Sequence, residues 1–208
     1  MIMNMANKRK PLSLWYLALV GILALILTIA VESLNLWGTP LNWAIRGAAL
    51  LGYQSVFLAI VSSAYMRQLV RLFGRPFVQV HHVASVAGLM LITLHPLGVA
   101  LDSATISVFV PRFDSALIFL QLGGRPAWYL IALAALIALL RRSVGQPWRV
   151  VHMLNYIAFL LATVHANLTG TDLQYIVTRA VSIVMALVIV SVFVQKRLRR
   201  RRPVKRRT

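Results

Sequence analysis

Cysteine is absent from this 208-residue chain, and carboxylates nearly so, with four Asp and Glu in all. The first absence excludes disulfides, iron–sulfur clusters and thioether-linked cofactors, leaving other side chains to hold any metal group. The second leaves 22 lysines and arginines with little counter-charge, for a net charge of +18. A G-x-G-x-x-G fingerprint in a strand–helix setting is lacking too, so no nicotinamide or flavin domain of its own is expected.

What the chain has in abundance is apolar sequence. Hydrophobic residues make up 60% of it and the mean hydropathy is +0.78. Apolar runs near twenty residues long indicate membrane-crossing helices. Six are predicted, at about 12–31, 43–66, 77–101, 126–140, 148–168 and 173–195. The expected fold is therefore an all-α integral membrane protein, a six-transmembrane-helix bundle. The fourth run is short for a ~30 Å hydrocarbon core, which implies tilt or extension through the preceding Gly-Gly-Arg-Pro. The first follows Lys8, Arg9 and Lys10 as a signal peptide would, but it is too long and no cleavage site follows, so it reads as an anchor. The chain divides into a basic N-terminus (1–11), a transmembrane domain (12–195) and a basic tail (196–208). The longest connection, about 102–125, mixes apolar residues with Pro111, Arg112 and Asp114 and reads as an amphipathic segment on the outer interface.

Charge sets the orientation. With six alternating helices, eighteen cations fall on one side, from Lys8, Arg67, Arg71, Arg75, Arg141, Arg142 and Arg149 to nine in the tail. The other four arginines and all four acids fall on the opposite side. Excess Lys and Arg marks the cytoplasmic face, so both termini are expected in the cytoplasm of a multi-pass protein of the cell (inner) membrane. The basic tail is assigned to anionic lipid headgroups, each cation contributing about 1 kcal/mol near the surface, and not to nucleic acid.

Four of the five histidines lie inside predicted helices and fall into two pairs. His81 and His95 are fourteen residues apart in helix three, and His152 and His165 thirteen apart in helix five. Imidazole in hydrocarbon is costly and calls for a partner or a function. Both helices enter from the cytoplasm, so His81 and His152 share an inner level and His95 and His165 an outer one. Two tiers of facing imidazoles can hold two planar iron cofactors one above the other. Fourteen residues bring His95 to within about 40° of His81 on the helical wheel, whereas thirteen leave His165 about 140° from His152. His82 is assigned a propionate contact or interface role, with ligation as its alternative, so the inner ligand on helix three stays open.

The remaining candidates are weaker. Arg46 opens helix two on the outer side and reads either as a propionate or substrate contact or as a snorkelling interfacial arginine. Trp148 reads as an aromatic-belt anchor, with a propionate contact as its alternative, and Arg149 as a contact to the inner propionates. Tyr156 and Phe159 lie between the two histidine levels, as inter-haem or core packing. Pro96 is expected to kink helix three beside His95.

These residues resemble the ferric reductase-like transmembrane domain, a superfamily that includes ferric reductases, the membrane half of NADPH oxidases and the MsrQ haem subunit of a periplasmic methionine sulfoxide reductase system. The resemblance rests on H-x13-H (His81, His95), H-x12-H (His152, His165), the W-R-x-x-H-x-x-x-Y run from Trp148 to Tyr156, and Arg46. It covers about residues 12–195. It implies two haem b groups and electron flow from cytosol to outside. The donor would be a cytosolic flavin reductase, bringing FAD or FMN through a partner, or a membrane quinol. The acceptor would be ferric iron, dioxygen or a periplasmic reductase. In size the chain is most similar to MsrQ, but a histidine at position 81 is closer to the oxidases and reductases. The alternative functions are a histidine-lined metal-ion transporter and a non-redox membrane scaffold.

Overall fold

The chain is described by a computed structural model over residues 10–34, 38–73 and 77–200, with side chains from Leu19 to Leu198. Lys8, Arg9, Arg75 and the tail beyond Arg200 lie outside the described residues, as do the side chains of Lys10, Arg199 and Arg200. The described residues are helical throughout, joined by turns. Ten α-helices follow in order: α1 (Lys10–Ser33), α2 (Pro40–Ala64), α3 (Met66–Phe73), α4 (Phe77–Asp102), α5 (Ala116–Gln121), α6 (Gly124–Leu139), α7 (Arg141–Val144), α8 (Trp148–His152), α9 (Leu154–Thr169) and α10 (Ile176–Arg200). Two 3-10 turns, Ile106–Phe109 and Thr171–Gln174, sit in the connections.

Four helical stretches are long and apolar enough to cross a membrane: Pro40–Ala64, Phe77–Asp102, Trp148–Thr169 and Ile176–Leu198. Shorter apolar stretches run over Leu19–Ser33 and Gly124–Leu139. The fourth predicted helix does extend back into the Gly-Gly-Arg-Pro stretch. Pro96 stands inside an unbroken helix. Between the second and third apolar runs, Arg67 and Arg71 are on the short helix α3. The fifth predicted helix is two, α8 and α9, because Met153 adopts ψ −12°, well short of the ~−42° of a regular α-helix.

Local signals set several starts. Thr39 caps α2, its hydroxyl accepting from the Asn42 N–H at 3.2 Å, with Pro40 in the first turn. Proline fits there because the first-turn N–H groups have no helical acceptor. Ser115 caps α5 in the same way. Gly145, at φ +71°, makes the left-handed turn that ends α7.

Small residues decide which helices press together, since lipid supplies no hydrophobic drive between them. A Cβ on Gly52 of α2 would lie 2.8 Å from Ile92 Cγ2 and 3.0 Å from its backbone nitrogen; one on Gly88 of α4 would lie 3.1 Å from Val56 Cγ2 and 3.2 Å from its nitrogen. The pair α6–α9 is closed by Ala127, Ala134 and Ala158, all at most 2% exposed. Phe159, Val56, Ile60 and Ile189 form the central core, joining α2, α9 and α10.

Candidate functional site: two levels of histidine between helix pairs

The close approach of α4 to α2 puts histidine rings against main-chain carbonyls. His81 Nδ1 lies 3.0 Å from Ala59 O and His95 Nδ1 3.2 Å from Ile45 O. Across the bundle, His152 Nδ1 lies 3.2 Å from Ala134 O of α6, and His165 Nδ1 bonds Gln121 O at the end of α5. The accepting carbonyls are fourteen residues apart on α2 and thirteen apart on α5–α6, matching the histidine spacings on their antiparallel neighbours. One rule of register therefore serves both helix pairs.

A carbonyl oxygen only accepts, so each Nδ1 must carry the proton and donate. That fixes all four rings as the tautomer whose lone pair is on Nε2, the arrangement that metal-ligating histidines show. Among the described residues no hydrogen bond engages any of these Nε2 atoms. Ser62 Oγ and Thr169 Oγ1 stand near the Nδ1 atoms of His81 and His165, at 3.4 and 3.3 Å.

His81 and His152 lie within electrostatic reach of each other, and so do His95 and His165. Met153, between His152 and His165, departs from regular helical geometry, so the ~140° of an ideal continuous helix is not strictly kept. His82 is exposed on α4, its ring 5.7 Å from that of His81. Of the two neighbours, His81 is the one turned into the bundle.

His95 and His165 both line a cavity of about 700 Å³. Its walls include Trp128 and Ile131 of α6, Phe159 of α9, Tyr53 of α2 and Met185 of α10. Trp128 is fixed by its Nε1–H donating to Thr93 Oγ1 at 3.0 Å, and Tyr53 by a 2.7 Å hydrogen bond with Thr163 Oγ1. The Tyr53 ring stacks on Phe159 at 4.5 Å. A second cavity, of about 310 Å³, is lined by Ser63, Trp148, Arg149, His152, Met153 and Tyr156, without His81. There the Arg149 guanidinium sits 5.9 Å over the Trp148 ring, and Trp148 lies 5.6 Å from His152. Tyr156 packs on Phe193 at 5.3 Å.

Arg46 does not snorkel. It is 7% exposed and donates to both oxygens of Asp172, itself 5% exposed, from Nε at 3.1 and 3.0 Å and also from Nη2. Both line the larger cavity. A guanidinium already engaged by a carboxylate is a poorer receptor for a second anion than sequence position alone suggested. The loop after α4 folds over the same end: the Arg125 guanidinium donates to Val110 O, and Tyr129 OH donates to Phe109 O. At its surface Arg112 donates to Asp114 at 2.8 Å, holding that carboxyl below the usual carboxylate range.

Sequence reasoning missed the carbonyl partners, Asp172, Tyr53, Trp128 and Gly124. Gly124 carries a local signal, as half of a glycine pair opening an apolar helix. A Cβ there would lie 2.8 Å from His165 Nε2. The rest are set by packing between segments far apart in sequence. No family model, curated protein or solved structure matches the chain.

Proposed function

We propose that the chain is a six-span b-type cytochrome of the cell membrane with both termini in the cytoplasm, passing electrons outward through haem held by histidine pairs. The observation that carries this reading is the uniform state of the four imidazoles. Each has Nδ1 tied to a main-chain carbonyl and, among the described residues, no hydrogen bond on Nε2, and the His95–His165 pair shares a cavity of about 700 Å³. That volume lies within the ~300–1,000 Å³ of cofactor pockets. The donor set also fits. Among the described residues no group of three or more His, Cys, Asp or Glu is placed to hold a bare ion, whereas a porphyrin brings four nitrogens and asks the protein for two. This weighs against the metal-transporter alternative.

His95 and His165 would hold the outer group, His81 and His152 the inner one. When bound, bis-histidine haem supplies reversible one-electron transfer with no open iron position, which favours outer-sphere passage to the next acceptor. The chain's own contribution is positional. Main-chain carbonyls fix ring orientation and raise imidazole basicity. Phe159 and Tyr53 keep water from the space between the levels, and Trp128 walls the outer cavity. Arg149, Trp148 and Tyr156 border the inner level, where a cytosolic flavin reductase or a membrane quinol would deliver electrons. A periplasmic reductase, ferric iron or dioxygen would take them at the loop-covered end.

The deciding measurement is haem stoichiometry with a reduced-minus-oxidised spectrum of the purified protein. Two b-type haems are expected. His95→Ala or His165→Ala should remove the outer one, and His81→Ala or His152→Ala the inner one, with His82→Ala retaining both. A protein that purifies folded without a b-type signal sinks the reading.

A further inference from the structure

The short helix α3 places charge where the chain has none to answer it. At 100° per residue, Met66, Leu69, Val70 and Phe73 share one face and the 70%-exposed Leu72 extends it, giving an apolar arc roughly 160° wide. Arg67 and Arg71, four residues apart and both exposed, stand together on the other side. Like charges at this spacing repel by about 0.2–0.5 kcal/mol in an isolated helix, so an anion between them is favoured.

Among the described residues no carboxylate is near enough to serve. The four acids are Glu32, Asp102, Asp114 and Asp172. Asp102 ends α4, whose first residue Phe77 stacks on Phe73 of α3 at 5.4 Å. Twenty-five residues of helix separate them, about 38 Å, several times the ~8–10 Å Debye length. Glu32 and Asp172 lie at that same far end, beside Arg46. Neither Arg67 nor Arg71 has an ion-pair partner among the described residues.

The helix is also held in place. Gln68 and Leu69 N–H groups donate to Tyr65 O, continuing the chain from α2. Tyr65 OH donates to Gln195 of α10 at 3.2 Å, and Lys196 Nζ lies 5.2 Å over the Tyr65 ring. Phe77, 1% exposed, anchors the other end through its stack on Phe73. The two exposed arginines are thus carried on a helix fixed at both ends.

We propose that α3 forms a binding surface for the phosphate headgroups of anionic phospholipids in the leaflet on the arginine-rich side. Arg67 and Arg71 take the phosphate oxygens, and the exposed Leu72 at the edge of the apolar arc reaches the acyl chains. The proposal is independent of haem.

The test uses the full chain in nanodiscs of mixed phosphatidylglycerol and phosphatidylcholine, followed by native mass spectrometry of the lipids that remain after gentle release. The wild type should retain phosphatidylglycerol preferentially. At about 1 kcal/mol per arginine, Arg67→Gln with Arg71→Gln should lower that preference about 30-fold. Arg67→Lys with Arg71→Lys should keep most of it, and Arg112→Gln at the opposite end all of it. An unchanged preference in the glutamine pair overturns the proposal. So does a lysine pair that loses the preference as fully as the glutamine pair, since charge would then not be what the lipid reads.

Discussion

Replacing Gly124 by alanine tests whether the Nε2 side of His165 is kept open for a ligand. The added Cβ would meet His165 Cδ2 at 2.7 Å, Nε2 at 2.8 Å and Cγ at 3.2 Å. Comfortable carbon contacts lie at about 3.5–4.0 Å, so the ring must retreat by roughly 0.7–1 Å. It has nowhere to go without loss, because Nδ1 on its far side is bonded to Gln121 O. Breaking that bond costs about 0.5–1.5 kcal/mol net, and forcing the ring off its position about 1–3 kcal/mol of strain. The expected destabilisation is therefore about 2–4 kcal/mol. For a chain of this size that is a Tm drop of the order of 5–15 °C. The methyl group also covers the nitrogen that would face iron, so the outer haem signal should fall while the inner one persists. Gly21→Ala is the control: nothing lies within 4 Å of its added Cβ, so it should be neutral or gain up to about 1 kcal/mol of helix propensity. The assay is thermal unfolding in detergent beside the reduced-minus-oxidised spectrum of each variant. If Gly124→Ala left both the melting curve and the outer haem intact, the assignment of His165 Nε2 to the cavity would be wrong.

Other outcomes follow from the same geometry. Arg46→Ala strands a buried Asp172 and should cost about 3–5 kcal/mol, whereas Arg46→Met combined with Asp172→Leu should recover most of it, because a buried pair replaced by apolar groups is near neutral; melting of the two variants under one condition compares them. Tyr53→Phe keeps the stack on Phe159 and leaves Thr163 bonded to Phe159 O, so its cost should stay near 1 kcal/mol, and a loss above 3 kcal/mol would show that the hydroxyl has a further role. The Arg112–Asp114 pair has a clear sign with pH: its carboxyl is lowered from 3.8 by the guanidinium bond, so the link is intact at neutral pH and is lost only as pH falls through that lowered value. A carbon-13 titration of the Asp114 carboxyl should show this, and Arg112→Gln should return the midpoint upward.

Apolar run length and the placement of cations, read from the amino-acid order alone, were enough to indicate helices near 12–31, 43–66, 77–101, 126–140, 148–168 and 173–195, because a helix that must satisfy its own backbone in lipid announces itself locally. The histidine spacings were legible for the same reason. Tertiary structure decided what those spacings serve. Only packing through Gly52, Gly88, Ala134 and Ala158 sets carbonyls of α2, α5 and α6 opposite the histidines in register, fixing each tautomer. Only the fold brings Asp172 to Arg46 across 126 residues, making a cation read either as an anion contact or as a snorkelling arginine half of a buried pair. The break at Met153 and the separate helix α3 also escaped the linear reading, since a change in one ψ angle and a short amphipathic turn leave little trace among apolar neighbours. Periodicity belongs to a single segment and can be counted there; which faces meet depends on small residues whose meaning appears only when two segments are pressed together.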